Sequence, residues 1–136
     1  MDPVRDALYD RLKADATLMA LTADGDVYHQ RAPQNAQFPL IVFQRLSAVD
    51  EYTFKLTGRM LNALWLAKGI ARGDSATPAE QLAARIDVVL ADASLTITGH
   101  DLMWLRREST VDYLEPDGAE SFHHCGGLYR LRTSAA

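Results

Sequence analysis

The run His123-His124-Cys125 is the first place in this chain where side-chain types suggest chemistry. On a strand, neighbouring side chains point to opposite faces, so only His123 and Cys125 could share a metal ion. Zinc sites want about four ligands, and two do not close one. A nucleophilic cysteine would need a base, and His29, His100 and His124 are the histidines available in principle. Cys125 is followed by Gly126-Gly127, which reads as a bulge or a close backbone approach within a strand. It is no phosphate loop, because neither a helix start nor Lys-Ser/Thr follows. The acidic pairs Asp50-Glu51 and Asp112 with Glu115 could be cast as general acid and base, but nothing sets them in the apolar pocket that a raised pKa requires. Arg106-Arg107 and Arg130-x-Arg132 suit ion pairs or an interface better than base readout. Trp65 and Trp104 lie in apolar strands, where core or subunit contact is the default. Tyr52 and Phe54 stand in a polar stretch, where such aromatics either dock a partner or pack back onto their own domain. The residues therefore assign no catalytic group, no metal and no cofactor.

The elements that position these residues follow from local patterns. Asp2 and Pro3 read as N-cap and first helical residue, and Val4, Leu8 and Leu12 carry an amphipathic helix to about Ala14. Asp15 caps a second short helix, Ala16 to Leu21. Val27-Tyr28 is a brief strand, and Phe38 to Leu46 is a long one with Pro39 at its start or on an edge. Ser47 to Gly58 is an extended hairpin arm or a long loop, and Arg59 to Ala71 is the second long strand. Thr77-Pro78-Ala79-Glu80 has the form of a capping box, opening a helix with Leu82, Ile86, Val89, Leu90 and Ala93 on one face. Leu95–Thr98 and Leu102–Glu108 flank Gly99-His100-Asp101 and read as a hairpin. Pro116-Asp117-Gly118 marks a turn before a last strand, Phe122 to Arg132. The order predicts one domain, residues 1–136. It is α+β: a mostly antiparallel or mixed sheet with the N-terminal and central helices on one face, plus the hairpin arm.

Composition bounds the partners. The chain has 136 residues, 48% hydrophobic and 24% charged, an ordinary globular balance. A formal net charge of −4 disfavours broad capture of nucleic acid. The single cysteine suits a reducing compartment. No apolar signal core or run of transmembrane length is visible, so the expectation is a chain made in the cytoplasm, unless it is carried out in a particle, and without a membrane partner. The segments Phe38–Phe43 and Met60–Ala67 do not alternate cleanly, and strands apolar on both faces need two covers. One small set of helices covers one face; a second copy of the chain is the expected cover for the other.

The order of features also resembles a known group. "LYDRLKADATLMAL" is followed by "VYHQRAPQNAQFPLIVFQ", then by the helix "AEQLAARIDVVL" and the late strand "GLYRLRT". Leu8, Leu12 and Asp15, feeding the stretch Pro33 to Val42, carry the best single match. Nearly the whole chain resembles the tail-terminator, or tail-completion, family of long-tailed bacteriophages and gene transfer agents. The resemblance implies no catalysis. It implies a homohexameric ring at the tail–neck junction of the virion, capping the tail tube, ending tail polymerisation and joining the head connector or neck protein, with DNA passing through the hole. Six copies would carry about −24, which discourages DNA from adhering. Tyr52, Phe54, Lys55, Arg59, Trp65 and Arg130 are the candidate subunit or tube interface. The alternatives are a head-completion or neck protein of the same particle, and a small Cys/His enzyme.

Overall fold

The computed structural model describes residues 2–52 and 59–135, with the side chains of Tyr52, Arg59 and Ala135 outside the description. In chain order the elements are α1 (Pro3–Lys13), α2 (Ala16–Leu21), β1 (Val27–His29), β2 (Leu40–Tyr52), β3 (Arg59–Arg72), α3 (Thr77–Leu90), β4 (His100–Asp117) and β5 (Glu120–Ala135). The strands form one five-stranded sheet in the order β1-β2-β3-β5-β4. β1 pairs parallel with β2, and the other neighbours are antiparallel. The fold is α+β, as the patterning predicts.

The three helices occupy one face. Asp2 caps α1 by accepting from the amides of Val4 and Arg5, and Asp15 caps α2 by accepting from the Leu18 amide at 2.9 Å. Asp15 has a second task. Its carboxylate takes both Nε and a terminal nitrogen of Arg85 at 2.8 and 2.9 Å, so one side chain starts α2 and ties it to α3. Arg11 Nε donates to the Val89 carbonyl oxygen and joins α1 to the end of α3. The α3 stripe of Leu82, Ile86, Val89 and Leu90 is buried against Ala63, Trp65, Ala67, Tyr129 and Leu131 of the central strands. Gly69 makes this close approach feasible: a Cβ there would lie 2.5 Å from Leu82 Cβ. Gly126 likewise faces β3 so closely that a Cβ would run into the Ala67 carbonyl oxygen, the close backbone approach expected of the glycine pair.

Four expectations need correction. The Thr77–Glu80 capping box does not form. Ala76 occupies the N-cap in helical conformation with no side-chain cap, and the Thr77 amide donates to Ser75 Oγ at 3.2 Å instead. The Leu95–Thr98 strand is absent apart from one bridge, Ile97 to His100. Ala93 and Ile97 are buried in the helix–sheet core and Leu95 packs on it, so this stretch plugs the core edge rather than lying beside β4. β4 runs on to Asp117, because β5 pairs with it along its whole length; the tight turn is at Gly118, which takes φ +62°. Finally, Leu40, Ile41, Val42 and Phe43 are all buried within the single chain, so this stretch of β2 does not need a second copy to cover it. Of the predicted arm, Ser47 to Tyr52 are strand paired with β3, while Phe54 and Lys55 lie outside the described residues.

Two stability outcomes follow. Ile86 is fully buried in the middle of the α3 stripe, so Ile86→Ala is expected to cost about 2–5 kcal/mol in urea unfolding. The Arg85 hydrogen bonds hold Asp15 below its ordinary carboxyl value of 3.8. A depressed carboxyl pKa contributes stability above the unfolded value, which is lost as pH falls through the folded one. Arg85→Met is therefore expected to lower the urea midpoint at pH 7, and the gap from wild type is expected to shrink below pH 4.

Candidate functional site

The pleat sets His124 on the face opposite His123 and Cys125, as their spacing predicts. His123 Nε2 donates to the Gly73 carbonyl oxygen at 3.0 Å. His124, buried on the opposite face, donates Nε2–H to Glu115 at 3.0 Å and stacks on Tyr113 with ring centres 4.4 Å apart. Burial holds its pKa below the ordinary imidazole value. Cys125 Sγ is buried 3.7 Å from Asp112 Oδ1, and burial, with the Asp112 charge beside it, pushes the thiol up to about 11. That is the reverse of what a nucleophile needs. His29 lies elsewhere, against Phe43 and Trp65. Among the described residues no three His, Cys, Asp or Glu side chains are placed to hold a metal ion.

The sheet face away from the helices carries the features sequence reasoning missed. At one end Phe38 lies against Phe122, with ring centres 5.2 Å apart. At the other end runs a polar belt across four strands. Glu108 on β4 accepts from Arg130 Nε on β5 at 2.8 Å, Arg130 reaches Asn62 Oδ1 on β3 at 2.7 Å, Asn62 donates to Glu51 on β2, and Glu51 also pairs with Arg132. The spacing signal was present: Arg130 and Arg132, two apart on one strand, must share a face and pair with whatever acids lie across it. Further along the same face, Lys68 Nζ donates to the Tyr113 hydroxyl at 2.6 Å, and Arg72 pairs with Glu120.

Of the candidate interface residues, Trp65 is 3% exposed and sits in the helix-side core near Phe43, so it presents no surface outward. Arg130 is committed within the chain to Glu108 and Asn62. Tyr52 and Arg59 pair opposite each other where β2 meets β3; the others, Phe54 and Lys55, lie outside the described residues. Among the described residues, the large apolar side chains that stand exposed are elsewhere: Leu46 and Val49 on β2, Met103, Tyr113 and Leu114 on β4, and Val88 on α3.

The chain is thus an α+β fold with helices on one face, a belt of paired charges on the other and exposed apolar groups on β2, β4 and α3. Residues 6–130 match the family model described as Tail completion protein gp17. A chain from a structure titled "Virion of native gene transfer agent (GTA) particle" superposes with a TM-score of 0.81 at 20% identity, covering 97% of this chain and 95% of that one. No curated protein matches the sequence. The chain belongs to the tail completion protein gp17 family, and membership assigns it a structural role in a phage-type tail.

With its pKa raised, Cys125 is expected to stay unmodified by iodoacetamide at pH 8 in the folded protein and to react readily once unfolded in urea, read by intact mass. Rapid labelling of the folded chain near neutral pH would revive the Cys/His enzyme.

Proposed function

We propose that this chain is a ring-forming tail terminator. Six copies close into a homohexamer that caps the finished tail tube, ends tube polymerisation and offers the surface onto which the head connector or neck protein docks, at the tail–neck junction of the virion. DNA passes through the hole without specific binding, and the role requires no catalysis, metal or cofactor. Family membership over residues 6–130 is the observation that carries this reading. The surface supports it in physical terms: a head-to-tail ring needs two different contact surfaces on each subunit, and exposed apolar groups stand on β2 and β4, toward opposite sides of the sheet. The charges of the polar belt are largely neutralised in place, which gives passing DNA little to grip.

Mass photometry of the purified chain, alone and with tail tubes, tests the reading. The expected particle has six times the 15.1 kDa of one chain, at least in the presence of tube, and it sits at tube ends. A chain that stays monomeric and leaves tube ends bare overturns it, and binding to the head connector alone transfers the protein to the neck. Replacing Tyr52 and Phe54 together by Ala is expected to leave the thermal midpoint nearly unchanged and to weaken assembly.

A further inference from the structure

The sheet ends in two unlike free edges. β1 covers β2 only from Ile41 to Phe43, and the Phe43 carbonyl oxygen takes one more amide, that of Gln30. From Gln44 to Tyr52 the outer edge of β2 receives no backbone hydrogen bond among the described residues. β4 is the last strand on the other side. Its outer edge is met at Leu105, whose carbonyl oxygen accepts from the Asp92 amide at 3.0 Å, and from Arg106 to Asp117 it is likewise unpaired among the described residues. Unpaired strand edges are templates for another strand. Among the described residues, most exposed large apolar side chains lie on or beside these edges: Leu46 and Val49 on the free part of β2, Tyr113 and Leu114 on the free part of β4, and Met103 just before it; Val88, on α3, is the exception.

We propose that the free edge of β4 in one copy pairs with the free edge of β2 in the next, so that the sheets of neighbouring subunits join into one continuous β-wall. This rests on the ring reading above and names the contact that closes the ring. Topology favours this partner. β2 and β5 run in the same direction and β4 runs against them, so a β4 laid beside the β2 of an equally oriented copy extends the sheet antiparallel, in the manner of its internal neighbours. The two edges differ, so the contact is head-to-tail and can close a ring instead of stopping at a dimer. The free stretches also lie at diagonal corners. Val49 is level with Asn62, Arg132 and Trp104, whereas Leu114 is level with His123 and Ala71 at the other end. Joining them steps each copy along the strand direction, the stagger that a closed sheet of tilted strands requires.

The test uses two full-length variants, Val49→Lys and Leu114→Lys. Both sites are largely solvent-exposed, at 59% and 55%, so folding is expected to survive, checked by circular dichroism and thermal midpoint. Under conditions where wild type forms the ring, each variant alone is expected to stay monomeric. Mixed, they are expected to form a dimer and nothing larger, because one keeps an intact β4 edge and the other an intact β2 edge. Hydrogen exchange supplies a variant-free readout: amides in 44–52 and 106–117 are expected to slow at least tenfold when wild type assembles. Rings that form with both stretches unprotected, or variants that assemble like wild type, overturn the edge pairing and leave the ring standing. A mixture that stays monomeric also overturns it. Protection of these stretches only on adding tube, with no ring of the chain alone or on tube, assigns the edges to the tube protein. A wild-type chain that never assembles overturns both readings.

Discussion

The approach of α3 to the sheet is the contact on which the rest of the structure depends. Leu82 meets Gly69 where no Cβ would fit, and Ile86, Val89 and Leu90 settle over the small Ala63 and Ala67 between the large Trp65, Tyr129 and Leu131. Small residues in the middle of β3 let the helix sit close, and the large ones on either side fill the space beside it. Tyr129 adds a polar fix: its buried hydroxyl donates to Asp87 of α3 at 3.1 Å, and Arg107 of β4 pairs with the same carboxylate. Burial and the Asp87 charge raise the Tyr129 pKa, which keeps the phenol protonated and donating. Helix and sheet are thus joined by apolar interlock and by one satisfied buried hydrogen bond. With Arg85 holding Asp15, the whole helical layer is referenced to α3.

Because the helices are spent on one face, the other must be made stable by side chains alone. The chain solves this in two ways. Near the start of β2, Phe38 and Phe122 pack together at the end of the sheet where Leu40 and Val42 are buried. Further along, arginine and glutamate side chains pair across strands, Arg130 with Glu108 and Arg132 with Glu51. Part of this face is thus covered within the single chain, while Val49 and Tyr113 stay exposed.

The same point accounts for what the sequence made legible. Both N-terminal helices, the α3 stripe and the long strands could be read from caps and periodicity, because those signals act within a few residues. The separation of His124 from His123 and Cys125 followed from the pleat. The reading that doubly apolar strands need a second copy failed at Leu40–Phe43, because a hydropathy pattern says which residues are apolar and not what packs over them: the helix-side core takes Ile41 and Phe43, and Leu40 and Val42 lie buried at the end where Phe38 meets Phe122. The capping box failed by one residue, since Ser75 competes for the same amide. The Leu95–Thr98 strand failed because Ala93 and Ile97 are drawn into the core from a loop, a tertiary demand that local alternation imitates. Trp65 was a candidate contact on residue type alone; its strand parity with Ala63 and Ala67 decides that it faces α3.

An exposed strand edge is ordinarily a hazard, and the two edges here carry devices that limit promiscuous pairing. Register shifts interrupt β2 between Arg45 and Ser47, and β4 between Leu102 and Trp104 and between Arg107 and Ser109. Bulges of this kind bend and twist a strand so that flat, indefinite stacking is disfavoured. The charges of Arg106, Arg107, Glu108 and Asp112 along β4 add to the same effect. Leu46 and Met103 fall within two of these shifts and are exposed. Apolar area is therefore offered where the backbone departs from regular pairing, so a partner must match a bent edge in shape as well as in hydrogen bonds. A bent edge selects against arbitrary strands while leaving a complementary one able to bind, which is the balance a subunit needs if it is to remain separate in solution and still close on itself in the proposed ring.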